Sequence, residues 1–387
     1  MRCWEQEDSL IRPVHGGNLA WAAALAGCPP SGILDFSASI SPLGPPQSAI
    51  AAIQTHLGSL GSYPDPEYRQ LRTVLAQMHG LSASWFLPGN GAAELLTWVA
   101  RDLAALEETY LLTPAFGDYG RSLKAFGANI KPCPLSLSLT QQQPSGIYHF
   151  LPEIPGAEAG NPTPSGNRQT PFNPAVSGLL LNNPHNPTGR LWLKEAIFPY
   201  LEQFALVVVD EAFMDFLPPE QQQSLIGAVC DCPNLAILRS LTKVYSVPGL
   251  RLGYAIAHPD RLRRWQQWRD PWPVNALAAA AAEAMVQDTA FQQQTWDWLK
   301  SARSQLFQAL AQFPGLQPYP GTANFLLVRS DPSSSWLQEQ LLQRHQILIR
   351  DCLSFPELGD RYFRIAIRSP AENQRLLSGL ADILGNG

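Results

Sequence analysis
Apolar residues along this chain gather in short runs separated by polar turns. The stretches 109–112, 178–181, 205–209 and 235–238 are short, mostly apolar and bounded by turn signals, and they read as buried strands. Helical spacing lies between and around them. Residues 19–26 predict a first helix, and 67–79 predict another with Leu71, Val74, Leu75 and Met78 on one face. Two more helices are expected at 95–106 and 119–126, and a helical region rich in Trp, Ala and Gln follows Gly253 as far as about Phe313. The last part predicts strands at 324–329, 347–350 and 362–367, a helix at 335–343, and a final helix opening at the capping box Ser369-Pro370-Ala371-Glu372. Strands alternating with helices imply an α/β protein, with a doubly wound, mainly parallel sheet in a large domain and a small C-terminal α/β domain.

That pattern divides the chain into an N-terminal arm (1–84), a large domain (85–290) and the small domain (291–387). Residues 135–176 break the alternation. They are rich in Gln, Pro, Ser, Gly and Asn and predict a surface loop or partly disordered insertion, open to proteases. There is no internal repeat.

Composition narrows the function classes. The chain has 387 residues, of which 45% are hydrophobic and 15% charged, as in an ordinary globular protein. A net charge of −5 gives no electrostatic case for nucleic acid or an anionic membrane. The six cysteines lack metal-site spacing, since Cys230-Asp231-Cys232 is too tight, and they suggest free thiols in a reducing compartment. Leu25-Ala26-Gly27-Cys28 looks like a lipoprotein cleavage site, but Glu5, Glu7 and Asp8 occupy what would be the basic region. No stretch is long enough to span a membrane, so a cytoplasmic protein is expected.

The candidate chemistry sits where the predicted strands end. The run 235–238 leads into Ser240-Leu241-Thr242-Lys243 and then Pro248-Gly249-Leu250-Arg251-Leu252-Gly253. A lysine just past a core strand is placed to be held out of water, lose its proton and form a Schiff base with an aldehyde. Lys124, Lys131, Lys194 and Lys300 lack such a setting. Two other strand ends carry suitable partners, Asp210-Glu211-Ala212-Phe213 after 205–209 and Asn182-Asn183-Pro184-His185-Asn186 after 178–181. Gly89-Asn90-Gly91-Ala92-Ala93-Glu94 opens a helix, and free N–H groups at a helix start suit a phosphate.

Asn, Asp and Lys on successive strand ends, with that glycine-rich turn upstream, resemble the fold-type-I pyridoxal-phosphate (PLP) enzymes, the aspartate aminotransferase superfamily. The resemblance runs from about His15 to the last helix. It implies that Lys243 is the Schiff-base lysine and that Asp210 pairs with the pyridinium. It further implies that Gly91, Ala92, Ser240 and Arg251 bind the cofactor phosphate, that Phe116 stacks on the ring and that Asn186 bonds the ring hydroxyl. Tyr63 matches a tyrosine that reaches the other subunit's cofactor, which implies a homodimer.

Asp-Glu-Ala-Phe with Pro-Gly-Leu-Arg-Leu-Gly is similar to the branch holding the histidinol-phosphate aminotransferases and the threonine-phosphate decarboxylases. His15-Gly16-Gly17-Asn18, the segment 35–44, Phe213 in place of a usual Tyr, and the C-terminal pattern 348–364 resemble the decarboxylases of cobalamin synthesis. By that resemblance Arg364 grips a substrate carboxylate and Arg350 a substrate phosphate, with His15 and Gly16 closing over the phosphate. Ser39 stands where the decarboxylase segment has an asparagine near the substrate. The expected reaction is decarboxylation of a phosphorylated amino acid. Histidinol-phosphate amino transfer is the alternative, sharing Lys243, Asp210, Arg350 and Arg364. A non-catalytic module on the same fold would need a DNA-binding segment, and the first 84 residues hold no basic recognition helix.

Overall fold
The computed structural model describes residues 12–138, 142–152, 154 and 173–385. The predicted buried strands form the middle of a seven-stranded sheet. Its strands are β1 (Phe86–Asn90), β2 (Glu108–Thr113), β3 (Ile130–Pro134), β4 (Ser177–Asn182), β5 (Leu206–Asp210), β6 (Leu235–Ser240) and β7 (Leu252–Ala257). They lie in the order β1-β7-β6-β5-β4-β2-β3. All pair in parallel except β7, which runs antiparallel to both of its neighbours.

Strands β4, β5 and β6 are apolar along most of their length because both faces are covered, and polar residues fall mainly at their ends. Leu179, Leu181, Val207, Val209, Leu235 and Ile237 face one core, shared with Ala281 and Met285 of the helix Ala276–Met285 and Leu299 and Leu306 of the helix Thr289–Leu310. Leu180, Leu206, Val208, Ala236 and Leu238 face the other, against Leu95, Val99 and Leu103 of the helix Gly91–Ala104 and Leu262 and Trp265 of the helix Pro259–Trp268. Each fully buried aliphatic side chain contributes about 1.5–3 kcal/mol to holding these layers together.

A second, antiparallel sheet holds β8 (Leu316–Pro318), β9 (Phe325–Ser330), β10 (Arg350–Asp351) and β11 (Tyr362–Ala366), in the order β8-β9-β11-β10. The helices Ser334–His345 and Pro370–Leu384 cover it with Leu337, Leu341, Leu376 and Leu380, and the capping box at Ser369 and Glu372 is present. The N-terminal arm joins the two sheets. Leu34–Asp35 pairs in parallel with Ile347–Leu348, Ala366 donates its N–H to the Phe36 carbonyl at 2.8 Å, and Ser41 donates to the Lys243 carbonyl at 3.0 Å.

The structure departs from the sequence expectations in several places. Strands β1, β3, β7 and β8 and the helix Gln47–Thr55 were not anticipated. β1 and β3 contain proline, which suits the two edges of the sheet they occupy. The stretch 347–350 is two strands, because Ile347–Leu348 pairs with the arm while Arg350–Asp351 pairs with β11. Met78 is 40% exposed, so the inner face of the helix Arg69–His79 ends at Leu75. Part of 135–176 is built into the fold: Ile147–Tyr148 pairs in parallel with Leu191–Trp192, and Leu135 and Ile154 are buried. Residues 139–141, 153 and 155–172 lie outside the described residues.

Directly after Asp210, the chain is pinned by a buried ion cluster. Arg239 on β6 bonds Glu211 at 3.0 Å, Asp215, and the Ser224 hydroxyl at 3.0 Å. Glu211 also accepts from the Ser224 hydroxyl and the Leu225 N–H. The two carboxylates hold the Arg239 guanidinium firmly charged despite its burial. Replacing Arg239 by Met would leave both acids buried and unpaired, and we expect a loss of about 3–5 kcal/mol. Urea unfolding of the two proteins measures it, and a loss under about 1 kcal/mol would contradict this reading of the cluster.

Candidate active site
The carboxyl ends of β4, β5 and β6 stop beside one another. Asn182 lies opposite Asp210, and Asp210 opposite Leu238, so the residues that follow emerge at one edge of the sheet. Two residues beyond Leu238, Ser240 begins the turn into the short helix Leu241–Val244, which carries Lys243. A second register builds the neighbouring wall. Asn90 at the end of β1 pairs with Leu252 at the start of β7, and one step further out Arg251 meets Gly91. Gly91 has φ +74°, a conformation that favours glycine, and a Cβ there would come within 2.8 Å of the Arg251 guanidinium. Arg251 itself adopts φ 56°, a left-handed conformation uncommon for a residue with a side chain.

These elements enclose a cavity of about 330 Å³. Lys243, Asp210, Phe116 and Phe213 line its depth, and Ser240, Arg251, Gly91 and Ala92 form one end. Asn186, Arg350, Arg364 and Ser39 line the other end, and His15 and Gly16 overhang it. Tyr63 is the exception among the sequence candidates. It is 78% exposed, stacks on Trp272 with ring centroids 4.3 Å apart, and does not line this cavity. Sequence reasoning missed Tyr119 and Ser37. Tyr119 lies three residues after Phe116 in the helix Gly117–Ala125, and that spacing was the available signal.

Lys243 Nζ donates to Ser240 Oγ at 3.3 Å and sits 4.9 Å from the centroid of the Phe213 ring. Burial lowers its pKa, Arg364 and Arg251 lower it further, and Asp210 opposes them. Asp210 is raised by burial, against the pull of Lys243, the Tyr119 hydroxyl at 2.6 Å and the Ala212 N–H at 2.9 Å. The amine is thus made easier to deprotonate beside an acid that keeps two hydrogen-bond donors.

At the far end, Arg350 and Arg364 are direct cross-strand partners. Like charges so placed repel. Burial, and then Arg350, bring Arg364 down to about 10. Arg364 donates to Asn186 Oδ1 at 2.5 Å and to the Ser37 carbonyl at 3.3 Å. Arg350 donates to Ser354 Oγ at 2.6 Å and to the carbonyls of Pro13 and Val14. It therefore also anchors the segment that carries His15 across the cavity mouth. Gly16 lets that segment lie flat, since a Cβ there would come within 2.3 Å of the Ser37 carbonyl oxygen. His15 is half exposed, 3.6 Å from Asp118. The Ser39 hydroxyl is buried and has no partner among the described residues.

The sequence profile of the aminotransferase class I and II family matches residues 31–380. The chain belongs to that family. Among relatives, the threonine-phosphate decarboxylase of Salmonella typhimurium is 40% identical over 384 residues, covering 97% of this chain and 98% of that protein. An adenosylcobalamin biosynthesis bifunctional protein, CobDQ, of Leptospira interrogans is 28% identical over 96% of this chain and 41% of its own length. Among solved structures, the histidinol-phosphate aminotransferase of Clostridium acetobutylicum superposes with a TM-score of 0.77 at 25% identity, covering 92% of this chain and 100% of that one.

The cofactor of this aminotransferase family, PLP, is a planar pyridine with an aldehyde and a phosphate, and the residues fit it. The Gly91 turn with Ser240 and Arg251 can take the phosphate, Lys243 the aldehyde and Asp210 the ring nitrogen. Among the described residues no cluster could hold a metal ion.

The loop that delivers Asn186 carries His185, which is fully buried and bonded through Nδ1 to Thr188 Oγ1 at 2.8 Å. Burial pushes its pKa down to about 3. The unfolded chain takes up a proton near pH 6.5 that the folded chain refuses, so stability is complete above pH 6.5 and falls as the pH drops toward 3. The expected slope from this one group approaches about 1.4 kcal/mol per pH unit. His185→Gln should flatten the acid limb of the stability–pH curve by that amount, and an unchanged limb would contradict it.

Proposed function
We propose that this aminotransferase-family chain decarboxylates L-threonine O-3-phosphate to (R)-1-aminopropan-2-yl phosphate and CO2, using PLP, and serves the aminopropanol linker of cobalamin. The observation that carries this reading is the facing pair Arg350 and Arg364 at one end of the cavity, with the Lys243–Asp210 pair in its depth. Two guanidinium groups held against their own repulsion suit a small substrate with two anionic groups, a carboxylate and a phosphate. The 40% identity with a threonine-phosphate decarboxylase supports the same substrate.

Gly91, Ala92, Ser240 and Arg251 bind the cofactor phosphate, Phe116 packs on its ring, and the Asn186 amide N–H group reaches the ring hydroxyl while its Oδ1 stays with Arg364. Bound there, PLP supplies an electron sink conjugated to the substrate Cα. Asp210 keeps a proton on the ring nitrogen. Arg364 holds the carboxylate and Arg350 the phosphate, so the substrate is fixed at both ends and its orientation decides which Cα bond breaks. His15 and Gly16 close over the phosphate and exclude water. Ser39, with its unpartnered hydroxyl, adds a short polar contact near the substrate. Lys243, its proton loosened by burial, returns a proton to Cα after CO2 departs.

Phe213 bears on the choice between decarboxylation and amino transfer. Its ring lies under Lys243 and meets Phe325 edge-on at 5.0 Å, so the floor of the cavity is apolar there. Histidinol-phosphate amino transfer is the second reading, favoured by the structural likeness to such an enzyme. The protein acts in the cytoplasm as a homodimer, with the exposed Tyr63 reaching the partner's cofactor. The chain works as an arm (1–84), a large domain (85–290) and a small domain (291–387).

Two variants test the assignment. Lys243→Ala should leave no PLP fixed to the protein by borohydride and no CO2 release, and fixation retained in that variant would remove Lys243 from its role. Arg350→Ala should weaken productive binding of phosphothreonine by about 2–5 kcal/mol, seen as a raised KM for CO2 release, with borohydride-fixable PLP unchanged. Unphosphorylated threonine should be a poor substrate of the intact enzyme. Equal turnover of threonine and phosphothreonine would contradict the phosphate role of Arg350.

A further inference from the structure
The helix Gly117–Ala125 starts at the cavity wall, and its third residue is Tyr119. That side chain is 2% exposed, and its ring meets Phe116 edge-on with centroids 5.5 Å apart. Its hydroxyl donates to Asp210 Oδ2 at 2.6 Å, while Asp210 Oδ1 accepts from the Ala212 N–H at 2.9 Å. Both donors are neutral. Burial by itself favours the protonated acid, and a protonated Asp210 could not hold a proton on a ring nitrogen. Hydrogen bonds to the carboxylate favour the anion instead. The attraction of Lys243 is not a constant, because its amine is the group that reacts. The Tyr119 phenol is pushed well above its usual range by burial and by Asp210, so it stays a donor throughout the working pH range.

We propose that Tyr119 is a positioning residue: its hydroxyl keeps Asp210 ionised and aimed at the ring nitrogen of the cofactor, and so sets how firmly that nitrogen holds its proton. This rests on the PLP placement given under the proposed function. A tyrosine that only satisfied its own buried hydroxyl would affect folding and not the protonation of the ring.

Tyr119→Phe removes the bond and keeps the ring. Three readouts apply: PLP affinity, thermal unfolding of the PLP-free protein, and the NMR shift of the isotopically labelled ring nitrogen in the loaded protein. We expect PLP affinity to fall by roughly tenfold or more, the size of one hydrogen bond to a charged group, and the nitrogen shift to move toward the unprotonated ring. An analogue with carbon in place of the ring nitrogen should bind the wild type and the variant equally. Equal weakening of both cofactors would overturn the proposal, because Tyr119 would then only shape the pocket. Ring-fluorinated tyrosine at position 119, a stronger donor of nearly the same size, covers the case in which the phenylalanine variant does not fold. It should move the nitrogen shift the opposite way, and no movement would overturn the proposal. CO2 release by the wild type is scored separately, so failure here leaves the decarboxylase reading standing.

Discussion
The site depends on hydrogen-bond register in the large sheet. Asn182, Asp210 and Leu238 lie abreast, so the loops carrying Asn186, Asp210 and Lys243 leave the sheet at one edge. Slipping a strand by one residue would swap Val207 and Val209 with Leu206 and Val208 between two packed cores, and would turn Asp210 to the other face. The same constraint acts at the phosphate end, where pairing of Asn90 with Leu252 brings Arg251 against Gly91. The site therefore cannot shift without unpacking the core, and core stability is what holds the catalytic geometry.

The electrostatics follow from that placement. Lys243, Arg251, Arg350 and Arg364 all line one cavity in a chain whose net charge is −5. Cations brought together against their own repulsion make an anion-seeking cavity, with Asp210 the acid set in its depth. A neutral ligand would leave Arg364 facing Arg350, whose 3.9 Å contact with Asp351 is shared with Arg12, whereas a substrate with an anionic group at each end relieves both. The arm is tied into the same balance, since Arg350 also holds the carbonyls of Pro13 and Val14.

Much of this was legible in the sequence, for physical reasons. Buried strands such as 206–210 announce themselves as unbroken apolar runs, and the polar residues that end them fall at the ligand edge of a parallel sheet. Strands β1 and β3 were hidden because their prolines and glycine read as turns, and only their edge positions make those residues tolerable. The split of 347–350 depends on a partner more than 300 residues away, Leu34–Asp35, which local pattern cannot report. Composition made most of 135–176 look like loop, yet Ile147–Tyr148 finds a strand partner in Leu191–Trp192. Tyr119 escaped notice because its contact with Asp210 spans 91 positions, and its place one helical turn past Phe116 does not say which group its hydroxyl meets.

The central claim is that this cavity breaks the Cα–carboxylate bond of a doubly anionic amino acid and does not transfer its amino group. The most direct test is a single reaction containing PLP-loaded protein, phosphothreonine, histidinol phosphate and 2-oxoglutarate, followed by NMR and by CO2 capture. We expect 1-aminopropan-2-yl phosphate and CO2 in equal amounts, with 2-oxoglutarate unconsumed and no glutamate formed. Glutamate accumulating at the expense of histidinol phosphate, with no CO2 from phosphothreonine, would contradict it.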